Sequence, residues 1–257
     1  MPFSYREQAP PEALAQWVEC QWRVESAVEI PHYGVAPDGC LDIVFSTSGG
    51  LRAIGTMTAE RRYHLPGGER MCGVRFRPGM AGAFLKAEAA ELTDAEAPLE
   101  DLWGAPARRL AERMHEARTT ADAAAALAAA LRPPTPPDNV QRAVAAIAAA
   151  HGAVDVDQLA RLAGLSPRQF RRRCREASGL TPKHLCRVLR FRRAVELAAR
   201  EPGLKWSLVA VDAGYFDQAH LIRDYREFTG RAPASGRIPD GRFVQYRLGQ
   251  RSVRSDA

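Results

Sequence analysis

The stretch LARLAGLSPRQFRRRCREASGLTPKHLCRVLRFRRAVEL, residues 159–197, decides the reading of this chain. Leu159, Ala160, Ala163, Leu165, Phe170 and Cys174 have the spacing of two short helices packed across a tight turn at Gly164. Ser166-Pro167-x-Gln169 supplies an N-cap, a proline at the first helical position and a glutamine two residues after that proline, which predicts a helix over 167–176. With Phe170 and Cys174 inward, the opposite face presents Arg168, Arg171, Arg172 and Arg175. Arginines this close repel one another unless an anion meets them. Their guanidinium forks read guanine edges or clasp phosphate. A packed helix, a turn with a small residue and a second helix with an outward polar face are the parts of a helix-turn-helix.

The same unit recurs in AVDAGYFDQAHLIRDYREFTGRAPASG, residues 210–236. Leu208, Val209, Val211 and Ala213 are expected to form the support helix (207–213), Gly214 turns, and Asp217 caps a helix over 218–228 with Leu221, Tyr225 and Phe228 inward. Its outer face shows Gln218, Ala219, Ile222 and Arg223: a glutamine suited to adenine, apolar groups suited to thymine methyls, and an arginine. A longer helix over 182–200 separates the units. At about 1.5 Å per residue it holds them roughly 30 Å apart, close to one DNA turn of about 34 Å. Asp138-x-x-Gln141 and Asp155-x-x-Gln158 open two further helices, over 139–150 and 156–163.

Working outward, the boundary of this all-α half is Pro133-Pro134-Thr135-Pro136-Pro137, a semi-rigid linker that cannot be helical. It coincides with a reversal of charge. Of the 257 residues, 1–138 carry 14 basic and 19 acidic side chains, whereas 139–257 carry 22 and 11; the chain as a whole is +6. A basic domain beside an acidic one is the footprint of a polyanion binder, although a solvated basic surface would give the same sum. The expected division is 1–132, a regulatory, effector or dimerisation domain; 133–137, linker; 138–240, DNA-binding domain; and 241–257, an Arg-rich tail.

From 19 to 85 the segments are short, aromatic or β-branched and punctuated by Pro37-Asp38-Gly39, Ser48-Gly49-Gly50 and Pro66-Gly67-Gly68, which predicts a small antiparallel sheet or barrel. From 98 to 131 the texture is that of a helical hairpin broken at Thr119-Thr120. The N-terminal half is thus expected to be α+β. No apolar run approaches the length of a membrane span and the first residues lack a signal-peptide core, which points to a cytoplasmic protein. Five cysteines, Cys20, Cys40, Cys72, Cys174 and Cys186, show no zinc-module spacing, so neither a metal nor another cofactor is expected. There is no G-x-S-x-G, HExxH or phosphate loop, and no catalytic residue is assigned: the chain reads as a binder rather than an enzyme.

Residues 139–240 resemble the double helix-turn-helix domain of the AraC/XylS family of bacterial transcription regulators. The resemblance is carried by the two stretches quoted, with Gly179-x-x-Pro182, Arg190-x-x-x-Ala194, Gly214-Tyr215 and Gly230-x-x-Pro233 in order. Cys174, Leu221 and Tyr225 stand where the family carries phenylalanine, and Arg237 follows Gly236 where an aromatic-Arg pair normally closes the domain. The resemblance implies base reading by Arg168, Arg171, Arg172, Gln218, Ala219, Ile222 and Arg223, and phosphate contact by Arg175, Lys183, Arg187 and Arg190. It implies promoter DNA and RNA polymerase as partners, and a second domain that binds a small effector, forms a homodimer, or both.

PDGCLDIVFS (37–46) and GVRFRPGMAGAF (73–84) resemble a less-characterised domain found ahead of such DNA domains. Arg75 and Arg77 alternate along one strand face, where they could clamp an anion or simply meet acidic partners. Cys40 and Cys72 complete the candidate effector set. The alternative reading is a thiol- or metal-responsive protein using Cys20, Cys40 and Cys72.

Overall fold

Period-two alternation of apolar residues over the first hundred positions builds eight strands among the residues described in this computed structural model, 2–132, 135–201 and 203–233. They are β1 (Phe3–Gln8), β2 (Val18–Ser26), β3 (Ile30–Val35), β4 (Leu41–Ser46), β5 (Gly50–Ile54), β6 (Arg61–Leu65), β7 (Glu69–Phe76) and β8 (Glu96–Pro98). Six of them form an antiparallel sheet in the order β1-β2-β7-β4-β5-β8; β3 and β6 pair as a separate ribbon. The sheet is open rather than a closed barrel, since its edge strands β1 and β8 do not pair with each other, and each of its faces is covered by something else. Ile43, Phe45, Cys72, Val74 and Phe76 point to one face and are buried under a helical hairpin. Trp22, Val24 and Val44 point to the other and meet Tyr33 and Leu65 of the ribbon. A register irregularity between Val18 and Cys20 turns β2 over, so Val18 joins the hairpin core while Cys20 joins the ribbon side.

The short α1 (Gly82–Leu85) and α2 (Leu99–Trp103) precede that hairpin, α3 (Ala105–Glu116) and α4 (Thr120–Ala130). Leu110, Met114 and Leu127 supply its buried stripe. The break expected at Thr119 is a capping box: the Thr119 hydroxyl accepts from the Asp122 amide at 3.1 Å and the Asp122 carboxylate accepts from Thr119.

The C-terminal helices follow their caps. They are α5 (Asn139–Ala149), α6 (Val156–Leu162), α7 (Pro167–Ser178), α8 (Pro182–Arg200), α9 (Trp206–Asp212) and α10 (Gln218–Thr229). Asp138, Asp155, Ser166, Thr181 and Asp217 each accept a backbone N–H of the first turn. Gly164 and Gly214 take positive φ at the two turns, +73° and +80°. Phe191 is central to the core, 5.7 Å from the Tyr225 ring and 5.1 Å from that of Phe228. One expectation for α9 changes. Val209, Ala210 and Ala213 are buried, whereas Leu208 and Val211 lie on the solvent face, because a seven-residue helix offers only one stripe to the core.

The two halves touch through a polar and apolar seam. The Thr56 hydroxyl donates to Ser178 O at 2.8 Å and that of Thr93 to Gly179 O at 3.0 Å, so the C-terminus of α7 rests on the loop after β5 and on the segment just before β8. Gly39 approaches Leu185 of α8 so closely that a Cβ there would sit 3.0 Å from its methyl. Arg192 of α8 forms a forked ion pair with Glu19, with one arm at 3.1 Å. The Pro133-Pro134 part of the linker, the last turn at Arg237 and the tail lie outside the described residues.

Candidate nucleic-acid interface

On α7, Phe170 and Cys174 are wholly buried, and Arg168, Arg171, Arg172 and Arg175 are exposed on the opposite face. Arg172 is held by Glu176 one turn on, at 2.6 Å. Arg173, between the two faces, bonds to Asp138 at 3.1 Å and braces α7 against the start of α5. On α10, Leu221, Tyr225 and Phe228 are buried, Gln218, Ala219 and Arg223 are exposed and Ile222 is half-buried. Phe216, just before the Asp217 cap, is 92% exposed, an unusual position for a phenylalanine that the periodicity alone did not single out.

The phosphate candidates divide. Arg175 and Lys183 are exposed. Arg187 instead ties α8 to α10, donating to Asp224 Oδ1 at 2.7 and 3.1 Å and to Glu227 Oε1 at 3.0 Å. Its hydrogen bond to Glu227 leads the effects that raise its pKa further above the ordinary arginine value. Arg190 reaches back to Gly152 O at 3.2 Å and lies over the Tyr215 ring at 5.6 Å. These two guanidinium groups are occupied by intramolecular partners that only the packing of α8 brings near, so the structure places them as braces rather than as free cations.

The N-terminal candidates also divide. Arg75 is buried, with Asp38 at 3.2 Å, Asp42 at 3.4 Å and Glu7 at 3.6 Å from its guanidinium nitrogens. Asp42 stands opposite it in the β4–β7 register. Arg77 follows the end of β7, is exposed, and donates to Ala15 O at 2.9 Å, so the expected shared strand face does not form. A cavity of about 330 Å³ lies between the sheet and the β3–β6 ribbon; Arg75 and Cys40 line it, together with Tyr5, Trp22 and Asp42. Cys72 belongs to the opposite face of the sheet. Period-two alternation along β7 separates Cys72 from Arg75, but the acidic partners of Arg75 come from three other segments that sequence spacing does not connect.

All five thiols are buried, and burial raises the pKa of each. Cys72 and Cys174 are each pushed up to about 12. No group of three or more metal-ligating side chains gathers among the described residues. No helix among them is long and apolar enough to cross a membrane.

Two capped helices with outward basic or polar faces, each packed on a short support helix through a glycine turn, define a pair of helix-turn-helix units. Residues 159–237 match a family described as a helix-turn-helix domain, and residues 6–98 match a domain of unknown function, DUF6597. A DNA-binding transcriptional dual regulator from Escherichia coli K-12 aligns at 23% identity over 38% of this chain and 87% of its own, with a TM-score of 0.32. ToxT from Vibrio cholerae O395 aligns at 9% identity over 91% and 96%, with a TM-score of 0.40. Unsaturated fatty acid bound ToxT from strain SCE256 aligns at 7% over 81% and 94%, at 0.39. No curated protein matches the chain.

Proposed function

We propose that the chain is a sequence-specific transcription regulator that places α7 and α10 in successive major grooves of promoter DNA. The observation that carries this reading is the pair of exposed faces, Arg168, Arg171, Arg172 on α7 and Gln218, Ala219, Arg223 on α10, with Ile222 beside them, each on a helix held by a buried core. The 19 residues of α8 span about 28 Å at 1.5 Å per residue, which suits one turn of DNA. Arg175 and Lys183 supply phosphate affinity that falls with salt. In this reading residues 1–132 are the regulatory part, 133–137 the connection and 138–240 the DNA-binding part. RNA polymerase is the partner that promoter binding implies, and a small effector acts through the N-terminal part. The buried, high-pKa thiols weigh against a thiol-responsive alternative.

The test is fluorescence anisotropy of the protein on its own upstream promoter DNA and on a scrambled duplex, across a salt series. Tighter binding to the promoter at every salt is expected. Equal affinity for both duplexes, or none at low salt, would sink sequence-specific reading.

A further inference from the structure

The cavity between the sheet and the β3–β6 ribbon carries more negative charge than it neutralises. Three carboxylates, Glu7, Asp38 and Asp42, converge on the single guanidinium of Arg75, which is only 6% exposed. Asp38 also accepts from the Cys40 amide at 2.9 Å and Asp42 from the Trp22 indole at 2.9 Å, so both carboxylates are fixed in place. Glu69, which lines the cavity as well, is buried with uncharged partners, the Thr47 hydroxyl at 2.8 Å, the Ser48 hydroxyl and the Ser48 amide at 3.3 Å. Glu96 at the rim is balanced by Arg52 and Arg61, each at 3.2 Å. An incoming carboxylate would find Arg75 already surrounded by carboxylates, whereas a cation would relieve the excess. The walls add Tyr5, Trp22, Tyr33 and Tyr63, and aromatic faces attract cations when water is excluded. The Trp22 ring lies directly over Gly73, where a Cβ would fall 2.5 Å from the indole, so this wall is built for that ring.

We propose that this cavity is the binding site of a small organic cation, an amine or quaternary ammonium on an apolar body, and that its occupancy is felt by the DNA-binding helices. The size suits such a ligand, at the small end of ligand pockets. The coupling has a physical path. Asp38 and Cys40 in the cavity wall flank Gly39, which packs on Leu185 of α8, and Gly55 and Met57 flank Thr56, which holds the end of α7. A ligand that shifts either segment shifts the seat of a recognition helix. The coupling half of the proposal rests on the regulator reading above; the cation site does not.

The test uses the full chain and three probes of similar shape, phenethylammonium, phenylacetate and 2-phenylethanol, followed by calorimetry and tryptophan fluorescence, with benzyltrimethylammonium as a quaternary probe. At least one of the two cations is expected to bind about tenfold more tightly than the carboxylate and the alcohol. Asp42→Asn, which keeps an acceptor for Trp22 but removes the charge, should lower that affinity about tenfold. Gly73→Ala, which displaces the Trp22 ring without changing charge, should lower it too and guards against a folding artefact in the first variant. A carboxylate that binds as well as the cations, or no binding by either cation at millimolar concentration, overturns the site. Promoter anisotropy with and without the bound cation tests the coupling: a shift of about threefold or more supports it, and unchanged affinity overturns it. Cation binding by a protein that recognises no promoter would sink the regulator reading and leave the site standing.

Discussion

Replacing Glu19 by glutamine should loosen the seat of α8 on the sheet, and the size of the effect follows from the ion pair. Burial alone would raise the Glu19 carboxyl, but the charge and hydrogen bonds of Arg192 outweigh it and bring the pKa from 4.5 down to about 2. At about 1.4 kcal/mol per pH unit, that depression corresponds to roughly 3 kcal/mol of stability while Glu19 is ionised. The two side chains keep 20% and 24% of their surface in solvent, so about 2 kcal/mol is the expected loss. Glutamine is the informative substitution, because Arg192 retains Glu196 at 2.9 Å and is not left as an orphaned charge. The carboxyl is depressed in the folded state, so its stabilisation is complete above the unfolded value near 4.5 and is lost as pH falls towards 2. Urea unfolding of wild type and Glu19→Gln should therefore differ by about 2 kcal/mol near pH 7, and the difference should shrink below pH 4.5 and close towards pH 2. A double-mutant cycle with Arg192→Met should assign most of the loss to the pair. A deficit that stays constant from neutral to acid pH, or additive single substitutions, would refute the argument.

Three other outcomes are expected. Arg171→Ala and Arg223→Ala should each cost about 1–3 kcal/mol on the true DNA site and relax preference at one position, in anisotropy competition with mutated duplexes. Arg187→Ala should instead lower unfolding stability by about 3 kcal/mol, since it strands Asp224, which is 1% exposed; a loss of DNA affinity without a loss of stability would return Arg187 to the phosphate set. The native protein should resist iodoacetamide near pH 8 while the urea-unfolded chain takes up five equivalents, because burial holds every thiol protonated; rapid modification of Cys20 or Cys40 in the folded protein would revive the thiol-responsive reading.

The effector side of the molecule differs from the simple anion clamp that alternating arginines suggested. Of the two, only Arg75 lines the cavity, and acidic side chains already surround it. The cysteines divide too, Cys20 and Cys40 towards the ribbon and α8, Cys72 beneath the hairpin, so the three do not make one cluster. The outcome is a cavity whose polarity is set by carboxylates rather than by arginines or thiols.

The sequence by itself determined the elements and faces of the DNA-binding half. Caps such as Ser166 with Gln169, glycine turns at Gly164 and Gly214, and the inward spacing of Phe170 and Cys174 are local interactions spanning a few residues, and local rules place them within one or two positions. What a side chain meets across the fold is set by pairing at long range, and no spacing along the chain encodes it. Arg187 and Arg190 share a helix with Lys183 and look alike in sequence, yet α10 and the Gly152 turn claim the first two and leave Lys183 in solvent. Arg75 and Arg77 differ by two residues, but β7 ends between them, and only the register of β4 against β7 puts Asp42 opposite Arg75. The tertiary structure decided which of these basic side chains stand in solvent and which acidic groups surround Arg75, because both depend on residues brought together from distant strands and helices.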